Sequence, residues 1–435
     1  MAVNGDALAV GIDFGTSGCR AVAMDAGGAV RAEVRQPLPP PERRGVEVEQ
    51  NPALWTAALE ALLAQLVATV PANDIGALAV DATSGTVLLA DADGVPLGPA
   101  LMYNDGRATA EAAAIAAAAP RESAAHGTAS GLAKLLWLLR QPGAERAARL
   151  LTQADYLNDL LGGHRGVSDA NNCLKSGWDP VHRCWPDWLD ALAVPRQLLP
   201  RAVMPGTPIG TLRPELVQHY GFAPGTLLAA GTTDSTAAFL ATGASRPGEA
   251  VTSLGSTLVL KVISEQPIFA PEYGIYSQPL DRLWLVGGGS NSGGAVLRQF
   301  FSDTQMAALT PHLEPERSTG LDYYPLPAPG ERFPVNDPAF PPRLAPRPAY
   351  EAVFFQGLLE GIARIERDGY RLLASLGAPW PSNVRSVGGG AGNAPWTRLR
   401  GALLGVPMLE PRYPQAACGA ALLARRALDA GMARV

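Results

Sequence analysis

The chain has 435 residues, which is too long for one small hydrophobic core and predicts two domains. Hydrophobic residues make up 47% and charged residues 17%, as in a globular protein, and the formal charge of −5 argues against nucleic acid or an anionic membrane as the main partner. Any phosphate group would therefore be bound by backbone amides, hydroxyls and a divalent metal rather than by a basic patch.

The first predicted element is a β-hairpin near the amino terminus. An apolar run over residues 7–12 leads into Asp13-Phe14-Gly15-Thr16-Ser17-Gly18-Cys19-Arg20, and a second apolar run follows over residues 21–24. The N–H groups and hydroxyls of such a turn can bind an anion, and Asp13 at the strand end can hold the metal that accompanies a nucleotide's phosphates. An ordinary glycine-rich turn has the same pattern, so this segment alone leaves both interpretations open.

A helix and a buried strand follow the hairpin. Asn51 and Pro52 predict a helix start, and leucines recur on one face of residues 53–70. Glu60 and Gln65 interrupt this apolar stretch, so we expect no membrane-spanning segment. Residues 75–80 predict a buried strand that ends in Asp81-Ala82-Thr83-Ser84-Gly85-Thr86. Strand, helix and strand in this order predict an α/β sheet, in which ligands gather at the carboxyl ends of the strands.

The middle of the chain predicts helices over residues 108–119 and 134–140, and then a return to strand. Residues 226–230 predict a strand that leads into Gly231-Thr232-Thr233-Asp234-Ser235, with a short helix after it. We place the domain boundary here, which predicts an amino-terminal domain over residues 1–230 and a carboxyl-terminal domain over residues 231–435.

The last third contains a proline-rich segment (residues 325–348) that cannot be a regular helix or a central strand. It predicts a surface excursion without a function of its own, although contact with a partner subunit stays open. A long helix is predicted over residues 350–373, and a short strand over residues 384–387 precedes three glycines.

Residues 251–261 repeat the pattern of the first hairpin, with a strand, a turn of glycine and hydroxyl residues (Gly255, Ser256 and Thr257), and a second strand. The two hairpins lie about half a chain apart. This repetition suggests two related domains, each of which contributes one phosphate loop to a cleft between them.

At this point the sequence resembles the actin-like ATPase superfold and, within it, the FGGY family of carbohydrate kinases. The resemblance covers nearly the whole chain and rests on five segments in the family's order. These are residues 13–20 and 255–257 as the two phosphate motifs, 128–137 and 355–362 as the two signature segments, and 388–393 as the adenosine motif. It implies an α/β fold of two actin-like (ribonuclease H-like) ATPase domains that flank a central catalytic cleft.

The resemblance also implies roles for individual residues. Asp234 occupies the position of the family's general base, where it would accept the proton of a sugar hydroxyl as that hydroxyl attacks the γ-phosphorus of ATP. Asp13 would hold Mg²⁺ through water. The nucleotide would be bound by Gly15, Thr16, Ser17, Gly255, Ser256, Thr257, Gly389, Gly390 and Asn393, with Trp396 nearby.

The sugar site is implied at the ends of the first-domain strands. Ser84 and Ser235 would bind sugar hydroxyls together with Asp234, and Asp105 in Tyr103-Asn104-Asp105-Gly106-Arg107 could accept two more. Residues 168–175 are a third candidate segment, although solvated loop positions are expected for its Asp169 and Lys175.

Residues 81–86 (Asp-x-Thr-Ser-Gly-Thr) and 168–175 resemble the compact branch of FGGY kinases found in cyanobacteria and plants, for which D-ribulose is the implied substrate. The chain would then convert D-ribulose and ATP to D-ribulose 5-phosphate and ADP. D-xylulose kinase and a non-kinase actin-like ATPase stay open as alternatives. We expect a monomer or homodimer with sugar and ATP as its partners, bound neither to nucleic acid nor to membrane. Its four cysteines are widely separated and without C-x-x-C spacing, which favours a reduced, cytoplasmic location.

Overall fold

The computed structural model describes residues 7–162 and 166–432, so the outer ends of both predicted domains lie outside the described residues. The strands are β1 (Leu8–Phe14), β2 (Gly18–Met24), β3 (Val30–Pro37), β4 (Glu42–Arg44), β5 (Glu47–Gln50), β6 (Ile75–Ala82), β7 (Val87–Ala90), β8 (Ala100–Leu101), β9 (Arg149–Thr152), β10 (Val167–Asp169), β11 (Arg201–Val203), β12 (Pro208–Thr211), β13 (Leu227–Thr233), β14 (Glu249–Leu254), β15 (Leu258–Ser264), β16 (Gln278–Leu280), β17 (Leu283–Ser290), β18 (Asn383–Val387) and β19 (Met408–Leu409). The α-helices are α1 (Pro52–Thr69), α2 (Thr109–Ala118), α3 (Gly131–Leu138), α4 (Gln153–Gly162), α5 (Ala170–Cys173), α6 (Pro214–Tyr220), α7 (Asp234–Ala241), α8 (Gly294–Leu297), α9 (Asp303–Leu309), α10 (Glu351–Ser375), α11 (Ala394–Leu404) and α12 (Ala416–Met432).

The chain forms two compact α/β units, as the fold class predicts. The first unit comprises residues up to 241 together with residues from 413 onward, and the second comprises residues 242–412. This division differs from the predicted boundary at residues 230 and 231, because β13 continues to Thr233 and α7 still belongs to the first unit. The carboxyl-terminal helix α12 also returns to the first unit, where it packs on β1, β6, β13 and α7.

Glycine makes the close packing of α12 possible. A Cβ atom on Gly11 of β1 would lie 1.9 Å from the Ala417 carbonyl oxygen, and one on Gly419 would lie 1.9 Å from the Ala237 carbonyl oxygen of α7. Any larger residue at these two positions would push the helix away from the sheet.

The main sheet of the first unit has the strand order β12-β13-β6-β1-β2-β3. Its three central strands, β13, β6 and β1, are parallel, whereas the outer pairings are antiparallel. The carboxyl ends of the central strands therefore meet at the same edge of the sheet. A five-stranded sheet (β4-β5-β8-β7-β9) and a two-stranded sheet (β10-β11) complete the strands of this unit.

Helix α1 begins as the sequence predicts, because the Asn51 side chain accepts a hydrogen bond from the Ala53 N–H group and Pro52 occupies the first turn. Its buried face, which includes Trp55, Leu62 and Leu66, packs in the core of the first unit. The helix has the length and composition of a possible membrane span. Core helices with a buried apolar face pass the same test of length and composition, and the buried residues of α1 lie in the core of the first unit.

The second unit repeats the sheet arrangement of the first. Its sheet has the order β16-β17-β15-β14-β18-β19, in which β14 and β15 form an antiparallel hairpin and β18 lies parallel to β14. The same relations join β1, β2 and β6 in the first unit. The resemblance between the two hairpin sequences therefore corresponds to equivalent places in two similar sheets.

Candidate active site

Three aspartates lie at the carboxyl ends of the three parallel strands in the first unit. Asp13 is on β1, Asp81 is on β6, and Asp234 is the first residue of α7, directly after β13. Asp13 is paired in register with Asp81, and Thr232 of β13 is paired with Asp81 from the other side. The structure thus brings together the predicted metal ligand and the predicted base, and it adds Asp81 between them.

The pKa values of Asp13 and Asp81 are both raised. Burial raises the pKa of Asp81 well above its usual range, and the charges of Asp13 and Asp234 raise it further. Burial also raises the pKa of Asp13; its interaction with Asp81 offsets part of this rise, and the charge of Asp234 adds to it. Asp81 is fully buried, and no N–H or hydroxyl donor among the described residues reaches either of its carboxylate oxygens. A buried carboxyl without a donor, next to a second carboxyl, is stabilised by a proton or by a cation.

This pair fits a magnesium ion. Mg²⁺ prefers oxygen ligands and keeps several waters, so one or two carboxylates are enough to hold it beside a nucleotide. Within residues 7–162 and 166–432 no group of three or more acidic, histidine or cysteine side chains is placed to hold a metal by itself. The residues therefore suit a metal that brings water and phosphate ligands with it.

Asp234 follows the third of these strands and, like Asp13, is less buried than Asp81. It is half-buried, and its Oδ1 atom accepts a hydrogen bond of 2.6 Å from the backbone N–H group of Ser235. Ser235 itself is exposed. Thr233 and Thr236, on either side, are buried and hydrogen-bonded to each other through their hydroxyls. The start of α7 is thus fixed on its inner side while its two predicted functional side chains face outward.

The 83–86 turn follows β6 and is held from inside the unit. The Thr83 hydroxyl donates to Gln153 Oε1 at 2.6 Å and also contacts the Thr86 hydroxyl at 2.6 Å. Thr83 and Thr86 are buried, whereas Ser84 is half-buried. The turn therefore leaves Ser84, the residue predicted to bind sugar, as its accessible side chain.

Two lysines hold the backbone of the same turn. The fully buried Lys134 donates from Nζ to the Gly85 carbonyl at 2.8 Å, and the half-buried Lys175 donates to the Ser84 carbonyl at 3.4 Å. Burial, together with the charge of Lys175, lowers the pKa of Lys134 to about 7.

Asp105, a second candidate for the sugar site, forms a buried ion pair within the first unit. It is fully buried, and its Oδ2 atom accepts hydrogen bonds from the Val48 N–H group at 2.6 Å and from Arg107 Nη2 at 2.8 Å. Its Oδ1 atom accepts from Arg107 Nε at 3.0 Å, and Arg107 also pairs with Glu49 at 2.6 Å. Because both carboxylate oxygens are engaged, the structure favours a role for Asp105 in fixing Arg107 over direct bonding to two sugar hydroxyls.

The segment over residues 168–175 is also not the solvated loop that was expected. Asp169 is buried and caps the short helix α5, since its Oδ1 atom accepts from the N–H groups of Asn171 and Asn172 at 3.0 Å. Burial raises the pKa of Asp169 to about 6. Asn171 Nδ2 donates to the Thr232 hydroxyl at 3.0 Å, which ties this segment to the end of β13.

The first hairpin turn (residues 15–17) joins β1 to β2. It is closed by a hydrogen bond of 3.0 Å from the Gly15 N–H group to the Gly18 carbonyl. Gly15 and Thr16 are half-buried and Ser17 is exposed, so the turn presents the groups that the sequence assigns to phosphate binding.

The second unit contains a cavity of about 760 Å³, a volume typical of small-molecule sites. It includes five of the nine residues predicted to bind the nucleotide. Thr257 is not among its lining residues, and residues 15–17 belong to the first unit. The lining comprises Leu254, Gly255, Ser256, Leu258, Gly293, Gly294, Leu297, Arg298, Asp303, Met306, Ala307, Thr310, Phe355, Leu359, Gly389, Gly390, Gly392, Asn393 and Trp396.

Close packing shapes the floor of this cavity. Gly388 has φ +87°, and a Cβ atom there would lie 2.9 Å from the Leu254 carbonyl, so only glycine fits. Trp396 is buried and donates from its indole N–H group to the Leu359 carbonyl at 3.0 Å. Asn393 caps α11 by accepting from the Trp396 N–H group at 3.0 Å. Asn393 and Trp396 thus line the cavity with side chains whose positions are fixed by these bonds.

Two residues of the site were missed at the level of sequence. Asp81 opens the motif over residues 81–86, and its position after a buried strand, as for Asp13, was the signal that could have identified it. Lys134 lies in the first signature segment, but nothing in the local pattern shows that its Nζ reaches residue 85, which is 49 positions away.

Comparison with known proteins agrees with this arrangement. Residues 8–241 match the N-terminal domain of the FGGY family of carbohydrate kinases, and residues 250–428 match its C-terminal domain. A xylulose kinase from Escherichia coli is 27% identical over 418 residues, covering 90% of this chain and 83% of that protein. A glycerol kinase from Aromatoleum aromaticum is 29% identical over 461 aligned positions, covering 95% of this chain and 88% of that protein.

Among solved structures, a protein described as a xyloylose kinase from Brucella ovis superposes with a TM-score of 0.89 at 26% sequence identity, covering 97% of this chain and 91% of that one. The two domain matches together span most of the chain and coincide with the sites described above. The chain belongs to the FGGY family of carbohydrate kinases, and it is a sugar kinase of that family.

Proposed function

We propose that this chain transfers the γ-phosphoryl group of ATP to the primary hydroxyl of a ketopentose, with D-ribulose as the substrate. The observation that carries the proposal is the alignment of Asp13, Asp81 and Asp234 at the ends of three parallel strands. Phosphoryl transfer to an alcohol requires a metal site beside a base, and this edge of the sheet provides carboxylates for both.

We assign different roles to the three carboxylates because their environments differ. Asp234, half-buried at the start of α7, would accept the proton of the attacking hydroxyl. The half-buried Asp13 and the fully buried Asp81, which has no donor on its carboxylate among the described residues, lie side by side and would hold Mg²⁺ through carboxylate and water oxygens. When bound, the metal would neutralise the charge of the phosphate oxygens.

The nucleotide would occupy the cavity of the second unit. Glycine-rich backbone from residues 255 and 389–390 lines it and allows close approach, while Trp396 offers an apolar surface for a base. Phosphate binding is assigned, from the resemblance, to the turn over residues 15–17 in the first unit and to Ser256 and Thr257 in the second, because hydroxyls and N–H groups bind anions.

The sugar would be bound by Ser84 and Ser235, together with Asp234. Ser84 is the accessible side chain of a turn that is otherwise held from within, which gives it a fixed direction. Asp105 would contribute indirectly, because it holds Arg107 against Glu49 and over the Trp137 ring at 4.8 Å.

The choice of D-ribulose as substrate is supported by residues 81–86 and 168–175, which resemble the compact branch of the family. D-xylulose is the second candidate, and it is favoured by the names of the relatives from E. coli and B. ovis. The proposal includes a cytoplasmic monomer or homodimer with no nucleic-acid or membrane partner.

Release of ADP from MgATP, measured with a coupled assay against ketopentoses, aldoses, pentitols and glycerol, tests the proposal. We expect ketopentoses to stimulate ADP release well above the rate without sugar, D-ribulose more than D-xylulose. A higher kcat/KM for D-xylulose would reassign the substrate. ATP hydrolysis that no sugar stimulates would favour the non-kinase ATPase and overturn the proposal.

A further inference from the structure

The proline-rich segment (residues 325–348) runs mostly at the surface, as predicted, but a few of its side chains anchor it in the core of the second unit. Phe333 is fully buried and fills a notch between β17 and α10. Glycine forms that notch, since a Cβ atom on Gly288 or Gly369 would lie 2.4 Å or 2.7 Å from the Phe333 ring. The segment is therefore fixed at a defined place beside the end of β17.

Next to Phe333, Glu331 inserts a buried carboxylate at the end of β17. Its Oε2 atom accepts from the Ser290 hydroxyl at 2.6 Å and from the Tyr324 hydroxyl at 3.1 Å. Its Oε1 atom accepts from the Asn291 N–H group at 2.8 Å and from the Arg332 N–H group at 2.9 Å. Glu331 is 2% exposed, so these four donors are its stabilising environment.

The carboxyl end of β17, to which Glu331 is hydrogen-bonded, continues into residues that are hydrogen-bonded to the second hairpin turn (residues 255–257). The Ser292 carbonyl accepts from the Leu258 N–H group at 2.7 Å. The N–H groups of Gly294 and Ala295 donate to the carbonyls of residues 255 and 256 at 2.8 Å and 3.0 Å. These bonds orient both carbonyls of the turn toward residues 294–295.

Gly293 allows this close approach. Its φ is +138°, and a Cβ atom there would lie 2.8 Å from both the Ser256 carbonyl oxygen and the Thr257 carbonyl carbon. The Ser290 hydroxyl, which donates to Glu331, also accepts from the Ser292 N–H group at 3.0 Å. A continuous set of hydrogen bonds thus runs from Glu331 through residues 290–295 to the second hairpin turn.

We propose that Glu331 is a positioning residue that sets the conformation of the second hairpin turn for phosphate binding. The proline-rich segment holds Glu331 in place. The inference rests on the proposed function in one respect, namely that the turn contacts the phosphates of ATP. Without the carboxylate, the Ser290 hydroxyl and the Asn291 N–H group lose their acceptor, and the strand end rearranges to find another.

The test compares Glu331→Ala, Glu331→Gln and Ser290→Ala with Asp337→Asn as the control. Asp337 lies in the same segment, but its side-chain contact is to the local Ala339 N–H group. Calorimetric binding of MgADP and the KM values for ATP and sugar are measured for each. We expect Glu331→Ala to weaken MgADP binding and raise the KM for ATP about tenfold, with the KM for sugar nearly unchanged.

Glu331→Gln keeps the size of the side chain and one carbonyl acceptor, so it should restore part of the lost affinity. Ser290→Ala removes only the hydroxyl link and should fold even where Glu331→Ala does not, with a smaller loss of MgADP affinity. Unchanged MgADP binding in folded Glu331→Ala or Ser290→Ala protein, or equal changes in both KM values, would overturn the inference.

The MgADP measurement also separates this inference from the proposed function. Wild-type protein that binds MgADP but phosphorylates no sugar would overturn the proposed reaction and leave the effect of Glu331 measurable. Wild-type protein that binds no MgADP would overturn both.

Discussion

At the scale of single residues, burial distinguishes carboxyls that the sequence presents as similar. Asp13, Asp81 and Asp234 all lie at the carboxyl ends of strands, but Asp81 is fully buried whereas Asp13 and Asp234 are half-buried. The raised pKa values of Asp13 and Asp81 suit groups that exchange a proton for a metal, whereas Asp234 is accessible to a substrate hydroxyl.

Replacement of Asp234 tests its role as the base. Asp234→Asn should lower kcat for sugar phosphorylation by about 10²–10⁴-fold, because an amide cannot accept the proton. The amide oxygen can still accept the hydrogen bond from Ser235 N–H, so MgADP binding and the unfolding midpoint should stay near those of the wild type.

Asp81→Asn provides the contrast to this variant. It should raise the Mg²⁺ concentration needed for half-maximal rate and recover activity as Mg²⁺ is added, whereas Asp234→Asn should not recover at any Mg²⁺ concentration. Near wild-type turnover of Asp234→Asn would remove this residue from the mechanism.

The buried Lys134 makes the stability of the protein depend on pH. Its pKa is lowered from 10.5 to about 7 in the folded state, so above pH 7 the folded protein has released a proton that the unfolded chain still binds. Stability rises with pH wherever the unfolded state binds more protons. This group therefore adds to the free energy of unfolding as the pH increases from about 7 toward 10, by up to about 1.4 kcal/mol per pH unit.

Lys134→Met should remove this part of the pH dependence. The free energy of unfolding in urea, measured at several pH values from 6 to 10, should rise less steeply with pH in the variant than in the wild type. Lys175→Met should instead move the start of the rise to higher pH, because the charge of Lys175 lowers the pKa of Lys134. Identical slopes in Lys134→Met and the wild type would contradict this assignment.

At the scale of elements, helix α12 supports the site from a distance in sequence. It lies across β1, β6 and β13, the strands that carry or precede the three aspartates. Gly11 and Gly419 let the helix approach until backbone touches backbone. The position of the strand ends therefore depends on a helix from the carboxyl-terminal part of the chain.

Gly11→Ala should loosen this packing. Its Cβ atom would lie 1.9 Å from the Ala417 carbonyl oxygen and 2.2 Å from the Ala421 nitrogen, so strand or helix must move. We expect a loss of about 1–3 kcal/mol in the free energy of unfolding, measured in urea. Gly98→Ala is the matched control, because a Cβ atom there meets nothing within 4 Å. Equal stability of the two variants would show that α12 does not constrain β1 at this point.

At the scale of the whole molecule, the two units contain sheets of similar topology but differ in the loops and cavities that accompany them. The hairpins β1–β2 and β14–β15 occupy equivalent places, each with a parallel strand beside its first strand. The first unit adds the acidic strand ends and the 83–86 turn, and the second adds the glycine-lined cavity. This division is consistent with the separate matches of the two parts to the N- and C-terminal domains of the family.

Local sequence patterns determined much of this protein. The leucine spacing of α1, the Asn51 cap and the alternation of apolar runs with glycine turns predicted the main elements, because these signals depend on near neighbours in the chain. The repeated hairpin predicted the similarity of the two sheets, and the motif order indicated the FGGY family. Five of the nine residues predicted to bind the nucleotide line one cavity of the second unit, and their role in binding it stays a prediction.

Tertiary structure alone decided which side chains are buried and what they contact over long separations. Asp105 became a partner of Arg107 and Val48, Asp169 a buried cap, and Glu331 of the proline-rich segment a buried acceptor for the end of β17. The register of β1 and β6 placed Asp81 beside Asp13. Burial and long-range hydrogen bonds depend on how distant segments pack, and a local residue pattern does not contain that information.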